Sequence, residues 1–230
     1  TINFMKAIIL SLSLLTLPLF YSHLNKVTTN PEKSEITSKN EEAEYVVKKL
    51  KKDSNPIDAN WDKAQWKGIK AISLDYNMGK QPKFLPKVWA KLMYDEENIY
   101  GIFKVEDRYV RSIVQEYNGN VSGDSCVEFF FSPDSEKPLS YFNLEINAGG
   151  TPLIFYIAKP WDDFTKLGKE DIDQIEIAHS LPEVVDPEIS EPTTWTIEYR
   201  IPISMLKKHS KVTQPKKGTV WKANFYKTGS

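Results

Sequence analysis

Four acidic residues in the middle of the chain, Asp107, Asp124, Glu128 and Glu145, are the side chains best suited to acid–base chemistry. Cleavage of a glycosidic bond needs two carboxylates that flank the bond, about 5 to 10 Å apart. Sequence spacing places no pair of these four at such a separation, and acidic residues are abundant elsewhere in the chain. A glycoside hydrolase that uses Glu128 and one nearby carboxylate is therefore an alternative, and no catalytic residue is predicted.

Glu128 is the one charged side chain within the apolar stretch 126–131. The alternation of a β-strand places Cys126, Glu128 and Phe130 on one face and the other apolar side chains on the opposite face. A carboxylate that is buried, ionised and unpaired costs several kcal/mol. Glu128 is therefore predicted either to pair with an arginine, a lysine or a metal ion, or to open onto a concave face that a polar ligand can reach.

Recognition of a sugar needs aromatic rings for the apolar face of a pyranose, and carboxylates or amides for its hydroxyl groups. Trp161 follows a predicted strand in a polar loop, where a core role is least natural, and Trp89 alternates opposite Leu92. Asn143 belongs to the strand predicted beside that of Glu128, so both side chains can point to one face. The predicted carbohydrate-binding residues are Glu128, Asn143, Trp161 and Trp89.

Metal and cofactor sites have less support in the sequence. Cys126 is the only cysteine, and the three histidines form no HExxH motif and no Cys/His cluster. No glycine-rich phosphate loop follows a strand, so nucleotide binding is not indicated. Calcium prefers oxygen ligands such as those of the acidic segments 95–97 and 162–163. We expect that no cofactor is required and that a structural calcium ion can bind.

Residues 1–24 are predicted to be a signal peptide, with residues 1–4 as an overhang of the gene model before Met5. Lys6 and the apolar run 7–20 have the order of a charged region followed by an apolar region. The run is shorter than the roughly 20 residues that cross a bilayer, and an uncleaved signal anchor is the alternative. The chain is therefore expected to be exported, to the periplasm or the extracellular medium.

The rest of the chain divides into a polar linker, residues 25–44, and a domain over residues 45–230. Short alternating stretches separated by turn signals, without a long amphipathic helix, predict an all-β antiparallel sandwich. Residues 162–191 are predicted to be mainly a solvated loop interrupted by a strand near 174–180. Because the chain stops directly behind a core-type strand, the domain is expected to be incomplete at its C-terminus. The formal net charge of -1 gives no electrostatic case for nucleic acid or for an anionic membrane surface.

Five segments of this domain resemble the family 9 carbohydrate-binding module-like proteins, and in particular their bacterial exported branch: WAKLMYDEENIYGIFKVED, YNGNVSGDSCVEFFFSPD, YFNLEINAGGT, TWTIEYRIP and WKANFYKTG. The resemblance implies an immunoglobulin-like β-sandwich that binds glycans such as cellulose or xylan chain ends, often with bound calcium. Glu128 matches a family carboxylate that hydrogen-bonds sugar, and Asn143 falls where characterised members can have arginine.

The sequence departs from the family pattern at both tryptophans that clamp the sugar. The first lies just before the central strand, where this chain has Val121, and the second lies in a C-terminal segment beyond residue 230. Trp161 or Trp89 is the candidate replacement. The prediction is a non-catalytic, exported module that binds an oligo- or polysaccharide of the plant β-glucan or xylan type and is linked to polysaccharide degradation. The alternatives are the hydrolase and a structural envelope sandwich without a ligand.

Overall fold

The computed structural model describes residues 2–4, 43–50, 56–77 and 82–229. Most of the predicted signal peptide and linker lies outside these described residues, whereas residues 2–4, predicted to precede the start methionine, form a strand. No helix among the described residues is long and apolar enough to cross a membrane. The described part of the chain is built almost entirely from strands, which confirms the predicted all-β class.

The larger sheet has seven strands, and its order brings the Glu128 strand to the centre. All neighbours are antiparallel except β1 and β15. From one edge to the other the strands are β11 (Asp163–Lys166), β10 (Pro152–Lys159), β9 (Tyr141–Asn147), β8 (Cys126–Ser132), β15 (Trp221–Thr228), β1 (Ile2–Phe4) and β2 (Ala43–Tyr45).

A second sheet of six strands packs against the first. Its path is β12 (Glu176–His179), β14 (Thr193–Pro202), β6 (Asn98–Asp107), β5 (Lys87–Tyr94) and β3 (Lys48–Lys49), with β4 (Ile72–Ser73) also paired to β5. A small sheet joins β7 (Val110–Ser112) to β13 (Val185–Ile189). The helical elements are single turns: a 3-10 turn (Val121–Gly123), α1 (Lys169–Ile172) and α2 (Ile203–Leu206).

The main core lies between the two large sheets and is dominated by aromatic rings. Phe129 and Phe131, which point inward from β8, stack at 4.6 Å between ring centroids. Phe129 also lies 6.0 Å from Tyr199 of β14, so the rings connect the sheets directly. Because Phe129 and Phe131 alternate with Glu128 and Phe130, the inward direction of the apolar rings fixes the outward direction of the polar face. The predicted antiparallel β-sandwich is confirmed.

Tyr199 carries a polar group into this core. Its side chain is buried over Gly101 of β6, where a Cβ atom would overlap the tyrosine ring. Among the described residues the Tyr199 hydroxyl has no hydrogen-bond partner, and burial raises the pKa of this hydroxyl well above its usual value. An unsatisfied buried hydroxyl lowers the stability of the folded state.

We expect Tyr199→Phe to raise the free energy of unfolding by about 1 kcal/mol, because it removes that unsatisfied hydroxyl and keeps the ring. Urea denaturation measures the change. Tyr100→Phe is the matched control, since the Tyr100 hydroxyl donates a 2.7 Å hydrogen bond to Asp95 and its loss should lower stability. A loss of stability in Tyr199→Phe similar to that of the control would contradict this account.

The segment that precedes β4 covers the outer face of the six-stranded sheet and is anchored by the carboxylate of Glu198. That carboxylate accepts hydrogen bonds from the backbone N–H groups of residues 58–59, at 3.0 and 2.9 Å, and from the indole N–H of Trp66, at 2.9 Å. Lys63 lies 2.7 Å from the same carboxylate. Glu198 and Trp66 are both fully buried, so this polar cluster connects the covering segment to β14.

Candidate functional site

The outer face of the seven-stranded sheet, defined as the face turned away from the main core, carries the polar residues of the predicted site. Across the β8–β9 ladder, Glu128 pairs with Glu145 and Phe130 pairs with Asn143. Directly paired residues of antiparallel strands project to the same face. The structure therefore brings Glu128 and Asn143 together on one face, with Glu145 beside them.

Glu128 is 7% exposed and accepts a hydrogen bond of 2.9 Å from the hydroxyl of Thr228 on β15. Burial, followed by the negative charge of Glu145, raises the pKa of Glu128 from its usual 4.5 to about 7, against the opposing effect of the Thr228 hydroxyl. The environment of the Glu128 carboxyl group thus disfavours its charged form. The side chains beside Glu128 in β9 and β15 are an acid and neutral polar groups. They do not provide the cation of the first predicted alternative, in which Glu128 pairs with an arginine, a lysine or a metal ion.

Glu145 and Asn143 form the second half of this polar group. The amide of Asn143 donates a 2.8 Å hydrogen bond to Oε1 of Glu145. Burial raises the pKa of Glu145, and the Asn143 amide and the Ser122 hydroxyl oppose that rise. Within the described part of the chain, Oε2 of Glu145 and Oδ1 of Asn143 have no hydrogen-bond donor. Both atoms are inaccessible to solvent, so they are buried acceptors whose hydrogen bonds are unsatisfied among the described residues.

The other two candidate carboxylates are used to hold the fold. Oδ2 of Asp124 accepts hydrogen bonds of 3.0 and 2.9 Å from two backbone N–H groups of the loop 113–123, and a third from Asn147 at 3.0 Å. Asp107 is buried and lies 2.8 Å from the ammonium group of Lys227. Because both are occupied within the protein, they are structural residues of the loop and the sheet.

The loop 113–123 covers one end of the outer face. Val121, at the start of the 3-10 turn, packs with Cys126 and Leu153 in a small apolar cluster on that face. Phe155 of β10 lies at the border of this cluster and is half-buried. The cluster explains why Cys126 is buried, and burial, as the largest cause, raises the pKa of its thiol well above the usual value. Cys126 is therefore an inert packing residue.

A cleft of about 180 Å³ opens at the other end of the outer face and is called the tryptophan cleft here. Trp161 lines it from the turn between β10 and β11 and is 80% exposed. The turn holds Trp161 at a φ of 67°, a strained position of the kind that clusters at binding sites. Its other main lining residues are Phe130, Leu139, Tyr141, Lys222 and Asn224.

Aromatic rings form the floor of the tryptophan cleft. Phe130 and Tyr141 stack at 5.7 Å between centroids, and Tyr226 meets Phe130 edge-on at 5.0 Å. Asn224, beside them on β15, donates a 3.1 Å hydrogen bond to the Tyr226 hydroxyl. The exposed indole and the floor of rings can stack on the apolar face of a sugar ring, and amide groups can hydrogen-bond its hydroxyl groups. Glu128 and Asn143 do not line the cleft itself. Asn143 lies beside Phe130 in the same row of the face, and Glu128 lies in the adjoining row.

Trp89, the fourth predicted residue, lies on the other sheet. Its strand neighbours Val88 and Ala90 point into the main core, so Trp89 projects from the outer face of the six-stranded sheet. There the ammonium group of Lys104 lies 5.3 Å from its ring. The structure thus brings Glu128, Asn143 and Trp161 to one face and leaves Trp89 on the opposite side of the sandwich.

Apart from Trp161, the main lining residues of the tryptophan cleft escaped the sequence prediction, and Leu139, Tyr141 and Asn224 show why. Leu139 is 66% exposed, which is unusual for a leucine, but exposure is not visible in the sequence. Tyr141 does have a signal, because it alternates with Phe142 and so falls on the face of Asn143. Asn224 could have been found in the same way once β15 was placed next to β8.

The acidic segments proposed for calcium are engaged within the protein. Oδ1 of Asp95 accepts hydrogen bonds from two backbone N–H groups of its own turn, and Oδ2 accepts one from Tyr100. Glu96 and Asp162 each pair with a lysine. No group of three His, Cys, Asp or Glu residues among those described is placed to hold a metal ion. These segments do not fit a preformed calcium site, and calcium binding stays a prediction.

Comparisons with known proteins agree with this arrangement. The model of carbohydrate-binding family 9 matches residues 53–230. The chain is similar to a proposed carbohydrate-binding protein from Bacteroides uniformis ATCC 8492, with 28% identity and a TM-score of 0.69 over 80% of this chain and 82% of that chain. A family 9 module from Caldicellulosiruptor kristjanssonii, solved with cellotriose, shares the fold at 18% identity and a TM-score of 0.52, over 80% and 75% of the two chains. A search of curated proteins finds no match.

Proposed function

The chain belongs to carbohydrate-binding family 9, and from that premise we propose that it is an exported, non-catalytic module that binds β-linked glucan or xylan fragments on the outer face of its seven-stranded sheet. The observation that carries the proposal is the tryptophan cleft. Its exposed indole stands beside a floor of stacked rings, and the amide of Asn224 lines the same cleft. Export to the periplasm or beyond, and a link to polysaccharide degradation, belong to the same proposal.

The chemistry divides between stacking and hydrogen bonding. The C–H face of a pyranose ring packs against the Trp161 indole or the Phe130–Tyr141 floor, which removes apolar surface from water. The hydroxyl groups of the sugar accept from the amide of Asn224, which lines the cleft. Glu128 and Asn143 remain proposed sugar contacts, and a sugar reaches their buried oxygens only when neighbouring side chains move.

The hydrolase alternative has one observation in its favour, the pKa of Glu128 near 7, which suits a general acid. The geometry argues for binding instead. Glu128 and Glu145 project side by side from paired positions of one sheet face, whereas hydrolysis needs carboxylates that flank the scissile bond. Both are at least nine-tenths buried. Release of reducing sugar by the wild type, abolished in Glu128→Gln, is the result that would favour the hydrolase.

Trp161→Ala is expected to weaken binding of cellotetraose or xylotetraose at least tenfold, or about 1.4 kcal/mol, because the ring that covers the cleft is lost. Isothermal titration calorimetry measures the dissociation constant. Trp161 is 80% exposed, so the substitution should leave the fold intact, and circular dichroism checks this.

Trp89→Ala is the matched control for that experiment, because it removes an indole from the opposite sheet. Its dissociation constant should equal that of the wild type. Loss of binding in Trp89→Ala together with unchanged binding in Trp161→Ala would move the site to the six-stranded sheet. If the wild type binds neither a glucan nor a xylan fragment, the proposed function is wrong.

A further inference from the structure

A row of five side chains crosses the outer face from the tryptophan cleft to the far edge of the sheet. Strand register places these residues directly opposite one another on β15, β8, β9, β10 and β11. They alternate between amides and aromatic rings and end in a lysine. We call this set the outer row: Asn224, Phe130, Asn143, Phe155 and Lys166.

A second cleft lies at the lysine end of the outer row. It is open, has a volume of about 670 Å³, and is lined by Lys166 and Lys169 on one side and by Glu116 and Tyr117 on the other. We call it the tyrosine cleft. Lys166 belongs both to this cleft and to the outer row, so the row leads from one cleft into the other.

We propose that the tyrosine cleft is a second sugar subsite, and that the ligand is one extended glycan chain that lies along the outer row. This inference rests on the proposed function, because it concerns the same ligand and the same face. It extends the ligand from the sugar ring at the tryptophan cleft to a chain several rings long.

Asn118 holds the tyrosine cleft in a fixed shape. Its backbone N–H donates to the carbonyl of Pro152 at 2.9 Å, and its amide donates to the carbonyl of Leu167 at 2.7 Å. Its side-chain oxygen accepts from the backbone N–H of Ile154 at 2.9 Å. The loop is thus tied to both β10 and the residue after β11. A site that is shaped before the ligand arrives loses less conformational freedom on binding.

The side chains at this end offer the two contacts that a sugar needs. The Tyr117 ring is 45% exposed and gives a stacking surface, with the ammonium group of Lys169 at 5.4 Å from its centroid. Lys166 donates a 2.8 Å hydrogen bond to the carbonyl of Asn118. A lysine ammonium group has three N–H donors, so Lys166 keeps two for sugar oxygens.

The length of the outer row determines the ligand class. Five neighbouring strands are separated by four gaps, so the row extends about 19 Å at the usual spacing of strands. That span exceeds the length of a disaccharide. Phe155 lies between Asn143 and Lys166 in the row, and its half-buried ring gives a further stacking surface. A chain that follows the row meets an aromatic ring or an amide at each of the first four strands and a lysine at the fifth.

The test is calorimetric titration with cello- and xylo-oligosaccharides from the disaccharide to the hexasaccharide. We expect affinity to rise with chain length until the row is filled, by about tenfold in total, the size of one added ring contact. Tyr117→Ala and Lys166→Ala should remove this gain and leave disaccharide affinity unchanged. Tyr76→Ala is the matched control, because it removes a tyrosine that is 83% exposed outside both clefts.

The outcomes separate this inference from the proposed function. Affinity that is the same for every length from the disaccharide upward overturns the extended path but leaves the sugar site at Trp161 standing. A length gain that survives both Tyr117→Ala and Lys166→Ala also overturns the second subsite. Failure of the wild type to bind any member of either series overturns the proposed function and this inference with it.

Discussion

Glu198→Gln is expected to lower the free energy of unfolding by about 3 kcal/mol, because it breaks a buried ion pair and leaves a lysine without its main counter-charge. The carboxylate of Glu198 lies 2.7 Å from Lys63, whose side chain is only 8% exposed. It also accepts from three N–H groups of the covering segment. Glutamine has a similar volume, but its NH₂ group must face one of these donors.

Urea denaturation, followed by tryptophan fluorescence, measures the loss. Trp66 donates directly to Glu198, so its fluorescence should also report loosening of the covering segment. Glu176→Gln is the matched control: Glu176, on the neighbouring strand β12, forms a half-exposed pair with Arg200. An exposed pair contributes at most about 1 kcal/mol. Equal losses in the two variants would show that Glu198 is not the anchor of this segment.

The face of Glu198 could be predicted from the sequence, but its partners could not. Alternation in β14 places Trp195, Ile197 and Tyr199 inward, and it places Glu198 outward. An outward residue is normally exposed to solvent. Glu198 is fully buried because the covering segment, which begins more than 130 residues earlier in the chain, folds over it. Contacts at such separations leave no periodic signal.

The same reasoning explains why the structure places Trp89 on a different sheet from the other predicted residues. Alternation shows that Trp89 is on the face opposite to Leu92, and this is what the structure has. It does not show which of two sheets carries the strand. Trp161 was predicted from a different signal, a large ring in a polar turn, and that signal depends on local sequence alone.

The stretch 162–191 was the main error in the fold prediction. It contains β11, α1, β12 and β13, whereas only the strand near 174–180, which is β12, was expected within a mainly solvated loop. All four residues of β11 are exposed, so they lack the apolar alternation that predicts a strand. The stretch 126–131 was predicted closely as a strand, because the inner face of β8 is fully apolar. Strands with an apolar, buried face can be predicted from sequence, whereas the fully exposed β11 cannot.

The second large effect concerns pH and Glu128. The pKa of Glu128 is about 7 in the folded protein and 4.5 as the usual value, chiefly because the residue is buried and secondly because Glu145 is adjacent. A raised carboxyl pKa means that the folded state binds the proton more tightly than the unfolded state. The stabilisation is therefore fully present below pH 4.5 and is lost as the pH rises through about 7.

We expect the free energy of unfolding to fall by about 3 kcal/mol between pH 4.5 and pH 8 on account of this one group. Glu128→Gln should remove most of that dependence, since glutamine cannot ionise and its oxygen can still accept from Thr228. At pH 8 the variant should be more stable than the wild type. Urea denaturation at several pH values measures both effects, and equal pH slopes in the two proteins would contradict the assignment.

Glu145→Gln separates the two causes. It removes the neighbouring charge but not the burial of Glu128, so the pH dependence should become smaller and persist. Glu128 destabilises the sheet at neutral pH, whereas glutamine would fit there at a lower cost in free energy. Packing alone therefore does not explain why this position is a glutamate. Such trade-offs between stability and function are common at binding sites. If Glu128→Gln gains stability and also weakens oligosaccharide binding, the acid serves the ligand; if binding is unchanged, the outer face binds sugar through Trp161 and the amides alone.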